Sequence, residues 1–265
     1  MNIYRQENRM NLPAMLYWTL GMLLGLLFFM LMFPAISKDA VVITEVTKQF
    51  PPAVIRALGL NTLDLSTVLG FYSYVFVFIL LVGAIYALKS GISTLSEEIR
   101  AKTADFLVSK PVRRTEIAAA KALSVVTLIL LQTIIYVPLA FVVTKLTTQQ
   151  DFDGRIFLAI NLTLMLLQLF FVALGLLLAV VIKRIRNVLS IALGTVFALW
   201  VVQMLNQTLA DPALAYLTPF AYFDLAGIIA SGGYQANYLV ADIILIITFA
   251  ALAGFIYQRQ DMPSV

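Results

Sequence analysis

An all-α membrane protein with six transmembrane helices is the fold class this sequence predicts, and three observations predict it. Of 265 residues, 62% are hydrophobic and only 12% charged, against about 25% charged in soluble domains. The apolar residues gather into stretches of about 18 or more, each long enough to cross a hydrocarbon core roughly 30 Å thick. Lys and Arg fall between those stretches with a strong bias to alternate gaps. Cysteine and histidine are both absent, so disulfides, thiolate or imidazole metal sites and Cys or His nucleophiles are excluded, and no metal centre is expected.

The spans read at about 13–35, 68–88, 122–144, 156–182, 188–209 and 239–257. For the first, Asn11 is the expected N-cap and Pro13 falls in the first turn, with a stop near Pro34. It is too long for the apolar region of a cleavable leader and is expected to stay in the mature chain. Residues 1–12 mix Arg5, Glu7 and Arg9 with Ile3, Tyr4, Met10 and Leu12, a pattern that fits an interfacial helix as well as a frayed tail. Pro138 predicts a kink in the third span. Gln132, Asn161, Gln168, Gln203 and Asn206 are amides inside spans, where bonding across helix interfaces is the default role. Asp242 stands near one end of the sixth span, within reach of the interface.

Orientation follows from the basic residues. With the N-terminus inside, thirteen of the 18 Lys and Arg lie on the inner side, and five (Lys38, Lys48, Arg56, Lys145 and Arg155) lie outside. Cytoplasmic loops retain Lys and Arg, so both termini are expected in the cytoplasm of a multi-pass cell-membrane protein.

Residues 89–121 form the one large inner loop. Leu88, Ile92, Leu95, Ile99 and Phe106 draw an apolar stripe, and Thr94 with Glu97 fits a capping box that would start a new helix. Lys110-Pro111 breaks that helix, and Thr115 with Glu116 restarts one that runs through Lys121 into the third span. Helix, break, charged corner and helix together suit a soluble partner protein. Topology control and neutralisation of anionic head groups account well for Arg113, Arg114 and Lys121, and less well for the capping box, the stripe and the proline. Beyond the fifth span, residues 210–238 collect Tyr216, Phe220, Tyr222, Phe223, Tyr234 and Tyr238 beside Pro212, Pro219 and Gly232-Gly233. An interfacial aromatic belt accounts for them; the second reading is a re-entrant pair of half-helices closing the outer mouth of a path.

The run from Ser96 to Ile117, continuing to Lys121, resembles the first cytoplasmic loop of ABC-2 type transporter permeases. The family pattern has an acidic pair, Gly-Thr, an acidic and leucine-rich stretch, Pro-Val or Pro-Ile, an Arg and a later Lys. Glu97-Glu98, Thr103, Asp105-Phe106-Leu107, Pro111-Val112, Arg113 and Lys121 match it, and Lys102 stands where the family has glycine. Phe50-Pro51-Pro52 with Val54, Ile55, Leu58, Gly59 and Leu60 is similar to the family's segment between its first two spans. The run Leu217 to Asp224 is similar to its segment before the last span.

That resemblance implies a single transmembrane permease domain over 1–265, with an interfacial segment at 1–12, a cytoplasmic coupling loop at 89–121 and an outer aromatic segment at 210–238. It implies an exporter of a hydrophobic or amphipathic compound (an antibiotic, peptide or lipid-like molecule). Its partners would be a second permease copy, as a homodimer or heterodimer, and two copies of a cytoplasmic ABC ATPase that bind ATP and Mg; no cofactor is expected in this chain. Membrane lipid surrounds it and no nucleic-acid partner is expected. The implied ATPase-binding residues are Glu97, Glu98, Thr103, Asp105, Phe106, Leu107, Lys110, Pro111, Arg113, Arg114 and Glu116. Pro219, Phe220, Tyr222, Phe223 and Asp224 are the outer gate candidates. The chain has no G-x-x-x-x-G-K-[ST] phosphate cradle, so ATP hydrolysis is assigned to the partner and the chain itself is not expected to be an enzyme. An ion-coupled carrier, for which Asp242 is the one candidate carboxylate, is the alternative, and a non-transport membrane scaffold a further one.

Single cysteines introduced at residues 105 and 185 should be shielded from an impermeant thiol reagent added to intact cells. Those at residues 48, 150 and 230 should react. Labelling at 105 from outside would reverse the scheme.

Overall fold

The computed structural model describes residues 3–38, 50–57, 63–100, 114–182, 184–209 and 211–259. Every regular element among them is helical. In chain order they are α1 (Ile3–Met30), α2 (Phe33–Lys38), α3 (Pro52–Ala57), α4 (Val68–Arg100), α5 (Arg114–Thr148), α6 (Gly154–Val181), α7 (Val188–Leu209), α8 (Pro212–Ala215), a 3₁₀ turn (Pro219–Ala221), α9 (Leu225–Ser231) and α10 (Ala236–Arg259). Six are long and apolar enough to cross a membrane, which is the number the hydropathy pattern predicts. Only helices satisfy their own backbone groups where no water is available.

Several boundaries differ from the sequence expectation. α1 begins at Ile3, not at Asn11, and Pro13 lies inside it. Asn11 donates back one turn, to the Glu7 carbonyl at 3.1 Å and to Glu7 Oε2 at 3.3 Å, so it is no N-cap. The helix persists because its first turns are bonded to α5, and those tertiary contacts outweigh the local cap signal. Residues 3–12 are thus the first turns of α1 rather than a separate short helix or a frayed tail. α1 ends at Met30, and α2 restarts with Pro34 in its first turn, where a missing N–H costs nothing. Thr94 starts no helix either: α4 runs unbroken to Arg100, with Thr94 Oγ1 donating to the Ser90 carbonyl at 2.7 Å. The stripe of Leu88, Ile92 and Leu95 is buried as a continuation of the span. The restart of α5 with Glu116 in its first turn agrees with expectation, and α5 runs through Pro138.

α4 and α6 form the central pair, with α1 against α5, α10 against α6 and α7 against α4. The approach of α4 to α6 rests on glycine. A Cβ at Gly91 would lie 2.5 Å from the Val172 carbonyl oxygen, and one at Gly175 would lie 2.7 Å from that of Leu88. A chain of amides then stitches the bundle together. Gln168 of α6 donates to Gln132 of α5 at 3.0 Å, and Gln132 donates to Thr19 of α1 at 3.1 Å, which donates to the Met15 carbonyl at 2.8 Å. Nearer the other end, Tyr72 of α4 donates to Asn161 of α6 at 2.7 Å. The packing role read for Gln132, Asn161 and Gln168 is therefore what the structure shows.

Gly91→Val or Gly175→Val should lower the thermal midpoint of the detergent-solubilised chain, with overpacking costs of about 1–3 kcal/mol. Gly21→Val, where an added Cβ would meet nothing within 4 Å, should leave it unchanged within roughly 0.5 kcal/mol. A thermal scan of tryptophan fluorescence compares the three.

Candidate functional site

The residues singled out by sequence lie at opposite ends of the bundle. On the face holding the start of α1 are the roots of the 89–121 loop. Thr103, Asp105, Phe106, Leu107, Lys110, Pro111 and Arg113 lie outside the described residues. Glu97 and Glu98 lie on the last turn of α4, Arg114 opens α5, and Glu116 is exposed in the first turn of α5, where its charge complements the helix dipole.

Between these roots sits Lys121, about two turns into α5. Its side chain is 5% exposed, its ammonium is 2.8 Å from Glu7 Oε1 of α1, and it donates to the Thr94 carbonyl of α4 at 3.3 Å. Head-group neutralisation, one reading of this lysine, does not fit a group so enclosed. Two more bonds seat α1 on α5: Ser124 donates to Asn8 Oδ1 at 3.0 Å, and Tyr4 donates to Thr127 Oγ1 at 3.0 Å. Sequence reasoning missed this clamp. Its signal was the polar stripe Tyr4, Glu7, Asn8 and Asn11, whose spacing puts all four on one helical face.

At the far face, residues 211–235 fold over the bundle as short helical pieces. Asp211 caps α8, accepting from the Ala213 N–H at 2.9 Å, and Asp224 caps α9, accepting from Ala226 at 3.2 Å. Gly232, at φ 74°, ends α9 in the left-handed conformation that glycine adopts without strain. Of the gate candidates, Pro219, Phe220, Tyr222 and Phe223 are buried, and Asp224 is exposed. Phe220 packs on Phe171 of α6 with ring centroids 5.6 Å apart, and the Tyr222 hydroxyl donates to the Tyr216 carbonyl at 2.8 Å. Thr218 donates to the Leu199 carbonyl of α7 at 2.9 Å. Phe220, Tyr222 and Phe223 are thus packed inward in a folded cap, whereas Tyr216 is 49% exposed.

Beneath that cap lies a cavity of about 410 Å³, within the usual range of small-molecule sites. Tyr74 and Phe78 of α4 line one wall, with Trp200, Gln203 and Asn206 of α7 opposite. Phe220, Phe223 and Asp224 belong to its cap side, and Arg56 of α3 reaches it as well. Gln203 Oε1 is buried and has no hydrogen-bond partner. Gln203 and Asn206 thus depart from the packing role read for span amides.

Asp242 also departs from expectation. Its side chain is enclosed by protein: it is 0% exposed, and neither carboxylate oxygen has a hydrogen-bond partner. No group of three or more metal-ligating residues occurs among the described residues.

A bundle of six membrane helices, with a rooted loop at one end and a capped amphipathic cavity at the other, defines a polytopic membrane protein of the permease class. The chain belongs to the ABC-2 transporters: the family described as ABC-2 family transporter protein matches residues 1–262. A comparison with curated proteins gives no match. Membership makes the chain a membrane-spanning permease component of an ABC transporter, and implies association with an ABC ATPase.

Replacing Lys121 by Met should be strongly destabilising, since breaking a buried pair costs about 3–5 kcal/mol. A double variant with Glu7→Gln should lose less than the sum of the single losses, with a coupling energy on the order of 1 kcal/mol. Denaturation of the four proteins of this cycle in one detergent measures it, and additive losses would show that the two side chains act independently.

Proposed function

We propose that the chain is the permease of an ATP-driven exporter of hydrophobic or amphipathic compounds. It works as a dimer on two cytoplasmic ATPase subunits, with both of its own termini cytoplasmic. The observation that carries this reading is the cavity between α4 and α7. Its aromatic walls take an apolar body, while Gln203, Asn206 and Asp224 offer polar contacts to a head. With the basic side inside, the cavity lies toward the outer leaflet, the release side of an exporter. Residues 93–116 dock the ATPase, and the buried Lys121 bracket joins the two stems of that loop to α1.

The test is co-expression with the partner ATPase and reconstitution into vesicles, reading ATP-dependent movement of a fluorescent amphiphile such as Nile red. Glu97→Lys with Glu98→Lys should leave insertion and dimerisation intact, because added positive charge reinforces the orientation. It should abolish ATPase co-purification, since like-charge contact across an interface costs several kcal/mol. Phe106→Asp should behave alike, through loss of an apolar anchor. Trp200→Ala should keep the ATPase bound and lose Nile red movement. Unchanged binding and transport in all three variants would overturn both the docking and the cavity assignment.

A further inference from the structure

A buried carboxylate with no partner is costly unless a cation or proton neutralises it, and inside a membrane span it marks a functional place more often than a structural one. Asp242 lies six residues past Ala236, about 9 Å along α10. Both of its oxygens are unpartnered and the side chain is fully enclosed. Aromatic residues stand beside it. Tyr238 is one turn earlier on the same helical face, and its ring lies parallel to that of Tyr222, with centroids 5.9 Å apart and planes 12° apart. Tyr222 is close enough to the Asp242 carboxylate for the two to interact electrostatically. Tyr216 packs on Tyr238 at 5.2 Å, and Phe170 of α6 contacts both Tyr222 and Phe249 of α10. Tyr238 also lines the cavity beneath the cap, so the stacked tyrosine pair adjoins that cavity as well as the carboxylate.

A carboxyl group beside aromatic rings is the chemistry that recognises an organic ammonium. The rings attract the diffuse positive charge through their quadrupoles, and the carboxylate neutralises it. Inorganic cations need a shell of several oxygens, and Asp242 itself offers two. We propose that Asp242, with Tyr222 and Tyr238 as a movable aromatic wall, is a binding site for the ammonium group of an amphiphile that enters from the cavity. Applied to cargo, this rests on the export reading above and narrows it to cationic amphiphiles; as a binding site it stands without the ATPase.

The test uses the full chain alone, in nanodiscs of phosphatidylglycerol. Dicyclohexylcarbodiimide modifies carboxyl groups within membranes, and mass spectrometry reads its adduct on Asp242. Dodecyltrimethylammonium should slow that modification at least tenfold, and uncharged dodecyl maltoside should not slow it. Discs of phosphatidylethanolamine distinguish the source. Slow modification there without added amphiphile assigns the ammonium to a lipid head group, and slowing only on addition assigns it to a free amphiphile; either supports the site. Asp242→Asn should weaken binding of dodecyltrimethylammonium at least tenfold while leaving Nile red binding in the cavity unchanged. Equal modification rates with and without the cation in both lipids would overturn the proposal, as would unchanged cation affinity in Asp242→Asn. Because neither readout needs ATP, failure of ATP-driven transport leaves this result separate.

Discussion

The contact on which the rest of the structure depends is the approach of α4 to α6, where Gly91 and Gly175 let two backbones meet. A Cβ built on either glycine would lie about 3 Å from the other's Cα, so no side chain fits between them. Lipid tails are as apolar as leucine, so burial of apolar surface gives helices little reason to associate. Close packing and internal hydrogen bonds must supply that reason. The glycine contact supplies the first, and the amide chain from Gln168 through Gln132 to Thr19 supplies the second, carrying the order set by the central pair outward to α5 and α1. α7 and α10, the least enclosed of the six spans, are then free to form walls facing lipid and the cavity.

α4 is also the element that the clamp and the cavity share. Its Thr94 carbonyl receives Lys121 on the N-terminal face, while Tyr74 lines the cavity near the far face. Twenty residues of unbroken helix separate them, about 30 Å. Under the proposed docking, a displacement applied at the loop would reach the cavity along one continuous helix, without a chain of side-chain rearrangements in between. An unbroken α4 therefore suits coupling better than the separate loop helix that the capping signal at Thr94 predicts.

The six spans were legible because unbroken hydropathy is a strong signal and membranes leave few alternatives to a helix. Helix ends were less so. Asn11 and Thr94 are residue types that cap, and in isolation their positions read as starts. What decided otherwise was contact between distant parts of the chain: Tyr4, Glu7 and Asn8 on α5 for the one, and continuous burial of Leu88, Ile92 and Leu95 for the other. Of the far-face candidates, Phe220, Tyr222 and Phe223 could be found from aromatic crowding beside prolines. Arg56, Trp200 and Gln203 could not, because they meet there only once α3, α4 and α7 have folded together.

Lys121 and Asp242 show how much of a site is decided by partners rather than by residue type. Both are ionisable and nearly inaccessible, and both belong to membrane-crossing helices. Lys121 has a carboxylate at 2.8 Å and a carbonyl at 3.3 Å, so its burial is compensated and its role is to hold three helices together. Asp242 has neither, since no donor reaches its two oxygens. A buried group whose bonds are complete explains itself by the stability those bonds confer. One whose bonds are missing lowers stability while it is charged, and that cost is offset when a proton or a cation neutralises it. The distinction sets the architecture at the α1, α4 and α5 junction, and the proposed chemistry where α10 meets the aromatic cap.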